Sequence, residues 1–251
     1  MIKSEEVLGI INGHNIKMIK SDYFDETVQK KTNDIISVMT TNSTLERILI
    51  ECISAYYIST ENTSYEEFIK RIENEKLNYP NFIFELIKFK DIYSGLLQNK
   101  NNEKIINGDL EEYCKWVNKI RGSILESITE KKAMVNKKQY MTGCYIEINT
   151  KKIKRDDKQS VDFAGHDDKE FQIYECKMTP NGFDTSDGIT QINLLLDLND
   201  EFSKCKIDSK LFCVTAGSRS KLEVTLKKLL SSNHSRVTPI GGVELNRAIS
   251  F

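Results

Sequence analysis

The sequence predicts an α/β chain in which a mainly helical front, residues 1–109, precedes a back, residues 110–251, with the order helix, three strands, helix, strand, helix. Three observations carry this. Apolar residues recur at helical spacing from about Leu45 to Leu97, then give way after one further helix to short alternating runs between about 143 and 178. The polar stretch Gln98 to Asp109, rich in Asn, Lys and Gly, separates the two regimes. The charge balance also changes sign: residues 1–110 hold 13 Lys/Arg against 17 Asp/Glu, and residues 111–251 hold 23 against 20.

The first element expected is a hairpin, Val7 to Ile11 and Asn15 to Ile19, because Asn12-Gly13 between apolar runs favours a two-residue primed turn. Leu45, Ile48, Leu49, Cys52, Ile53 and Tyr56 then trace one face of a helix, with Ser43 or Thr44 placed to cap it. A second helix runs from Tyr65 to about Leu77 behind Ser64. Pro80 punctuates the chain, and Phe82 to Leu97 forms a third, unusually apolar helix. In the back half, Tyr113, Trp116, Val117, Ile120, Ile124 and Ile128 line a helix from about Glu111 to Val135. Strands come next at Gly143 to Asn149, Ser160 to Ala164 and Phe171 to Met178, joined by a basic turn and by the polar turn His166 to Lys169. A loop with Pro180, Gly182 and Gly188 leads to a helix from Ser186 or Asp187 to about Phe202. Leu211 to Thr215 is a strand, Lys221 to Leu230 a helix, and Val237 to Val243 a last strand.

The 251 residues are 39% hydrophobic and 29% charged with a formal net charge of -1, which excludes disordered, collagenous and rod-like classes. No apolar run reaches the roughly 18 to 20 residues that span a bilayer, and the first residues lack the order of a signal peptide, so a cytoplasmic chain with no membrane contact is expected. Six cysteines stand without a CxxC pair or zinc spacing and read as buried free thiols. Neither a GxxxxGK[ST] string nor a strand-linked GxGxxG appears, so nucleotide-driven work would need a partner. The three histidines are isolated. Segment 131–158 is locally basic, with nine Lys/Arg against three acids, and Lys151, Lys152, Lys154 and Arg155 are the candidates for holding a phosphate backbone.

Strand periodicity brings chemistry together. In Phe171-Gln172-Ile173-Tyr174-Glu175-Cys176-Lys177-Met178, Glu175 and Lys177 share one face, roughly 7 Å apart at the backbone, and Tyr174, Cys176 and Met178 share the other. Asp162 ends up beside Glu175 if the two strands form an antiparallel hairpin. Two carboxylates and the Cys176 carbonyl would offer hard oxygen ligands to Mg2+ or Mn2+, and Lys177 would orient or deprotonate a water and stabilise the charge of a phosphodiester transition state. Glu126, off the apolar stripe of the preceding helix and one turn after Gly122, is a candidate fourth group; a helical glycine costs about 1 kcal/mol and can serve a close backbone approach.

Asp162, twelve intervening residues, and Glu175-Cys176-Lys177, set in helix-strand-strand-strand-helix-strand, resemble the core of the PD-(D/E)xK phosphodiesterase superfamily, which includes restriction endonucleases, Holliday-junction resolvases and phage-defence nucleases. The resemblance covers about residues 111–231 and implies a restriction-endonuclease-like αβββαβ core, metal binding by Asp162 and Glu175, a catalytic Lys177, and a match of Glu126 to the acidic residue that the family often carries on its first core helix. Gln191 matches a polar residue that several branches place near the site. Val161 stands where many members have proline, and Leu195 where one branch has tyrosine after the glutamine. The activity that the resemblance implies is that of a Mg2+-dependent endodeoxyribonuclease of bacterial restriction or phage defence. The competing readings are a DNA-repair nuclease and a catalytically silent scaffold. The admitted partners are DNA, a helicase or ATPase subunit, and a second copy of the chain.

Overall fold

The computed structural model describes residues 5–11, 13–20, 25–39, 42–59, 64–98, 110–135, 137, 139–155, 160–167 and 170–245, with side chains from residue 13 onward. It is an α/β chain with a mixed sheet, and it divides into two compact units, residues 24–127 and residues 1–23 with 128–251. The division differs from the expected boundary at residue 109, and the 99–109 stretch lies outside the described residues, as does Asn12. The N-terminal hairpin groups with the back of the chain because it extends the sheet. β1 (Glu5–Ile11) pairs antiparallel with β2 (His14–Lys20), and β2 pairs with β3 (Gln139–Ile148), Ile16 opposite Ile148 and Met18 opposite Ile146. Gly13 between them has a φ of +80°, which the turn requires and glycine supplies without strain.

The helical unit holds α1 (Glu26–Met39), α2 (Ser43–Ala55), α3 (Tyr65–Asn78), a single 3-10 turn at Pro80–Phe82, α4 (Ile83–Leu97) and the greater part of α5 (Leu110–Ala133). α1 has no counterpart among the expected helices. The cap of α2 is Asn42, whose side chain accepts from Thr44 N at 2.8 Å, rather than Ser43 or Thr44. Phe68 sits edge-on to Tyr56, Phe89 and Tyr93, and the Tyr93 hydroxyl donates to Tyr56 O at 2.8 Å. At the C-terminal end of α2, the buried Arg121 donates through Nε to Ile53 O (2.9 Å) and through Nη2 to Ser54 O (3.1 Å), so a cation satisfies the carbonyls left without helical partners.

In the sheet unit the strands run in the order β1, β2, β3, β5 (Val161–His166), β6 (Phe171–Lys177), β7 (Ser209–Thr215) and β8 (Val237–Ile240), with β4 (Lys151–Lys152) turning back onto β3. β3, β5 and β6 form an antiparallel meander. α6 (Ser186–Lys204) then returns the chain so that β7 lies parallel to β6. α7 (Arg219–Leu230) returns it again to β8, parallel to β7. A four-residue α8 (Gly242–Leu245) replaces the end of the expected last strand. Phe171, Ile173, Leu211 and Cys213 pack in one core with Ile192, Leu195 and Phe202 of α6 and Leu222 and Leu226 of α7. On the other face, Tyr174 stacks on Phe212 with centroids 4.5 Å apart and meets Phe163 edge-on. All six cysteines are buried thiols outside any disulfide. Among the described residues no helix is long and apolar enough to cross a membrane.

Candidate active site

The site forms where the β5–β6 ladder stops. Its last paired position is Phe163 opposite Tyr174. One residue beyond, the Asp162 side chain takes over from the main chain and accepts from Cys176 N through Oδ2 at 2.7 Å. This fixes the Asp162 carboxylate beside Glu175, where an antiparallel hairpin is able to bring it. The alternation that buries Phe171 and Ile173 under α6 carries Glu175 and Lys177 to the same face. There Lys177 Nζ lies 3.2 Å from Glu175 Oε1. Glu175 is only 1% exposed.

Asp187, in the first turn of α6, places Oδ2 3.8 Å from Lys177 Nζ. The sequence marks this residue only as a helix start, and its part in the site depends on how that turn is mounted. The Thr185 hydroxyl donates to Gly182 O (3.0 Å) and accepts from Gly188 N (3.0 Å) as the helix cap. A Cβ on Gly188 would sit 2.3 Å from Gly182 O, and one on Gly182 would sit 3.0 Å from the Cβ of Lys177. The lysine stem, the 180–184 turn and the start of α6 are thus in direct contact, and only glycine fits the closest approach, at 188. A second tie closes the neighbouring strand end: the buried Thr215 hydroxyl donates to Met178 O at 3.2 Å.

Electrostatics follow from this crowding. Burial alone would lower the Lys177 pKa, but the surrounding Glu175, Asp162 and Asp187 carboxylates outweigh it and hold the ammonium above its ordinary value. Burial pushes the Asp162 carboxyl up, against the Lys177 charge and the Cys176 N–H, which favour its ionised form.

The remaining expected site residues divide between the two units. Cys176 turns its sulfur to the opposite face of the sheet, where Sγ lies 3.6 Å from Thr129 Oγ1, so it offers the site only its main chain. Gln191 is one turn after Asp187 on the same side of α6, and its Oε1 is buried with no hydrogen-bond partner. Glu126 belongs to the helical unit, where its Oε1 is 3.7 Å from the position of a Cβ on Gly122; the convergence of Asp162, Glu175 and Lys177 is a property of the sheet unit by itself. Of the basic residues, Lys151 pairs with Glu201 at 3.4 Å and Arg155 with Asp197 at 2.9 Å, both carboxylates being on α6. The Lys152 ammonium sits 3.3 Å above the Tyr145 ring centre, and Lys154 is exposed. Asp156 to Lys158, at the centre of the basic turn, lie outside the described residues.

The donor set suits a small hard cation better than a soft one. Among the described residues no three His, Cys, Asp or Glu side chains converge into a cage. Mg2+ asks for less, since it takes one or two carboxylates together with substrate oxygens and retained waters. Asp162 and Glu175 supply that pair, and the buried Gln191 Oε1 is an acceptor that a bound water could satisfy. The residues therefore fit the ion.

No protein-family model matches the chain, and no curated protein matches it. Among solved structures, the crystal structure of protein VC1899 from Vibrio cholerae is similar at 12% sequence identity and a TM-score of 0.35, over 94% of this chain and 56% of that one. The chain thus spans little more than half of that protein's length, and a likeness of this degree carries no argument about fold or activity.

Proposed function

We propose that the chain is a metal-dependent nuclease hydrolysing DNA phosphodiester bonds, with Asp162, Glu175 and Lys177 as its catalytic residues, in a core of the PD-(D/E)xK kind. The observation that carries the reading is the meeting of two carboxylates and an ammonium on one face at the end of β5 and β6, with Asp162 fixed by Cys176 N at 2.7 Å and Lys177 3.2 Å from Glu175. A bound Mg2+ or Mn2+ would be held by Asp162, Glu175 and the Cys176 carbonyl, and would acidify a water and offset charge on the scissile phosphate. The residues of the chain do the rest. Lys177, held as an ammonium by its carboxylate neighbours, donates to a non-bridging phosphate oxygen and stabilises the charge that builds as the P–O bond breaks. Gln191 orients water through Oε1. The Lys151 to Arg155 hairpin supplies the proposed phosphate contacts. Restriction or phage defence is the proposed setting, with DNA repair as the alternative within the same chemistry.

The test is cleavage of plasmid and linear DNA in Mg2+ or Mn2+. Lys177→Ala and Glu175→Ala should each lower the rate by at least about 100-fold, the cost of removing one transition-state contact. Equal cleavage by wild type and both variants would assign the activity to a contaminant and remove the proposal.

A scaffold reading, in which the chain docks a helicase or ATPase subunit without turnover, is favoured by one observation. Leu77 of α3 and Phe84 of α4 are 82% and 85% exposed, apolar surface on the helical unit that a docked partner would cover. Metal binding separates the two. A calorimetric Mn2+ signal that disappears in Asp162→Asn supports hydrolysis, and its absence from the wild type supports the scaffold.

A further inference from the structure

The lysine and the proposed cation compete for the same carboxylate. Lys177 Nζ lies 3.2 Å from Glu175 Oε1, and a divalent ion held by Asp162 and Glu175 would bring two positive charges up to the ammonium. Glu175 is buried, so it has little water to soften that repulsion. The lysine needs a second acceptor already within reach. Asp187 is that acceptor: its Oδ2 is 3.8 Å from the same nitrogen, further than a full hydrogen bond, and its side chain is half exposed. Its mount is rigid even though the carboxylate is not buried. Thr185 Oγ1 bridges Gly182 O and Gly188 N, and the Gly182–Gly188 approach leaves no space for a Cβ, which fixes the first turn of α6 against the turn that also touches the Lys177 stem.

We propose that Asp187 is a positioning residue that receives the Lys177 ammonium when a divalent cation takes Glu175, so that the lysine stays directed at the site instead of expelling the ion. The inference rests on the proposed metal site and adds to it the exchange of partners: one ion pair is given up as the other tightens.

The experiment is a calorimetric double-mutant cycle with Mn2+ alone as the probe, on the full chain without DNA, with folding checked by circular dichroism and thermal midpoint. Asp187→Asn should weaken Mn2+ binding about 5- to 10-fold when Lys177 is present, because the displaced ammonium then has no anionic partner outside the metal site, and Asp187→Glu should restore affinity to within about 2-fold. In a Lys177→Met background, Mn2+ should bind more tightly than to wild type and Asp187→Asn should change the affinity less than about 2-fold. Equal weakening in both backgrounds would make Asp187 a ligand of the ion and overturn the positioning role. An unchanged affinity with Lys177 present, whatever the thermal midpoint, would reduce Asp187 to a helix-end charge and overturn it too. Absence of Mn2+ binding by both wild type and Lys177→Met would remove the metal site itself, and this inference with it.

Discussion

Gly188 lies so close to Gly182 that a Cβ on the first would stand 2.3 Å from the carbonyl oxygen of the second. The partner atom is backbone, and Thr185 already bonds it, so it cannot yield as a flexible side chain would. Gly188→Ala should therefore cost about 1–3 kcal/mol, the usual penalty of overpacking, despite the gain in helix propensity. Gly182→Ala, whose Cβ would meet only the Lys177 stem at 3.0 Å, should cost less. Denaturant midpoints of the two variants check the order, and a Gly188→Ala protein as stable as wild type would show that the two segments are not pressed together.

The buried thiols give a second expectation. Burial raises Cys52 and Cys144 to about 12, and Cys213 is also raised by burial, with Glu175 adding to it and Lys177 opposing it. At pH 8 a thiol at about 12 is ionised in roughly one molecule in ten thousand, and the thiolate is the reactive form. A chromogenic disulfide reagent should leave Cys52, Cys144 and Cys213 unmodified in the native protein and titrate all six thiols in guanidinium. Rapid native labelling of Cys52 or Cys144 would contradict the packing.

Glu130, on the last turns of α5, has its carboxyl raised by burial, with Lys20 opposing the shift. A carboxyl raised in the folded state contributes stability that is fully present below its unfolded value of about 4.5 and is lost as pH rises through the folded value. Glu130→Gln removes that loss. The variant should melt above wild type at pH 7 and together with it near pH 4. Thermal scans at the two pH values decide; a variant less stable at pH 7 would mean that Lys20 outweighs burial.

Ion pairing on α6 sorts the basic hairpin. Lys151 and Arg155 already face Glu201 and Asp197, whereas Lys154 is exposed. A cation that neutralises one phosphate adds about one to the slope of log affinity against log salt, and one that must first leave a carboxylate adds less. Lys154→Ala should lower the slope by nearly one in a DNA-binding titration, and Lys151→Ala and Arg155→Ala by about half or less. The opposite order would show that the α6 pairs open freely, as exposed pairs worth under about 1 kcal/mol are able to do.

Some elements are plain in the residues and others are not. α2, α3, α4 and α6 arise from unbroken apolar stripes. α1 escapes because its buried face, Val28, Thr32, Ile35, Val38 and Met39, has a polar residue where the period asks for an apolar one. β3 begins four residues earlier than expected because Gly143, at a φ of +52°, interrupts the alternation, and the strand reads as starting there. Asn42, Ser43 and Thr44 are all competent caps, and only the backbone of Asn42, extended at φ -157°, selects among them.

That Glu175 and Lys177 share a face and that Asp162 can stand beside them is legible in the residues, because strand alternation and hairpin spacing are local and need no knowledge of the rest of the chain. Tertiary structure alone decided that the first hairpin extends the sheet through Ile16 and Ile148, that Lys151 and Arg155 are paired with α6, and that Asp187 is a third carboxylate at the lysine. Each depends on contacts between distant segments. The last rests on two glycines whose value lies in the side chains they lack, and no periodicity in the sequence records which backbone they must let approach.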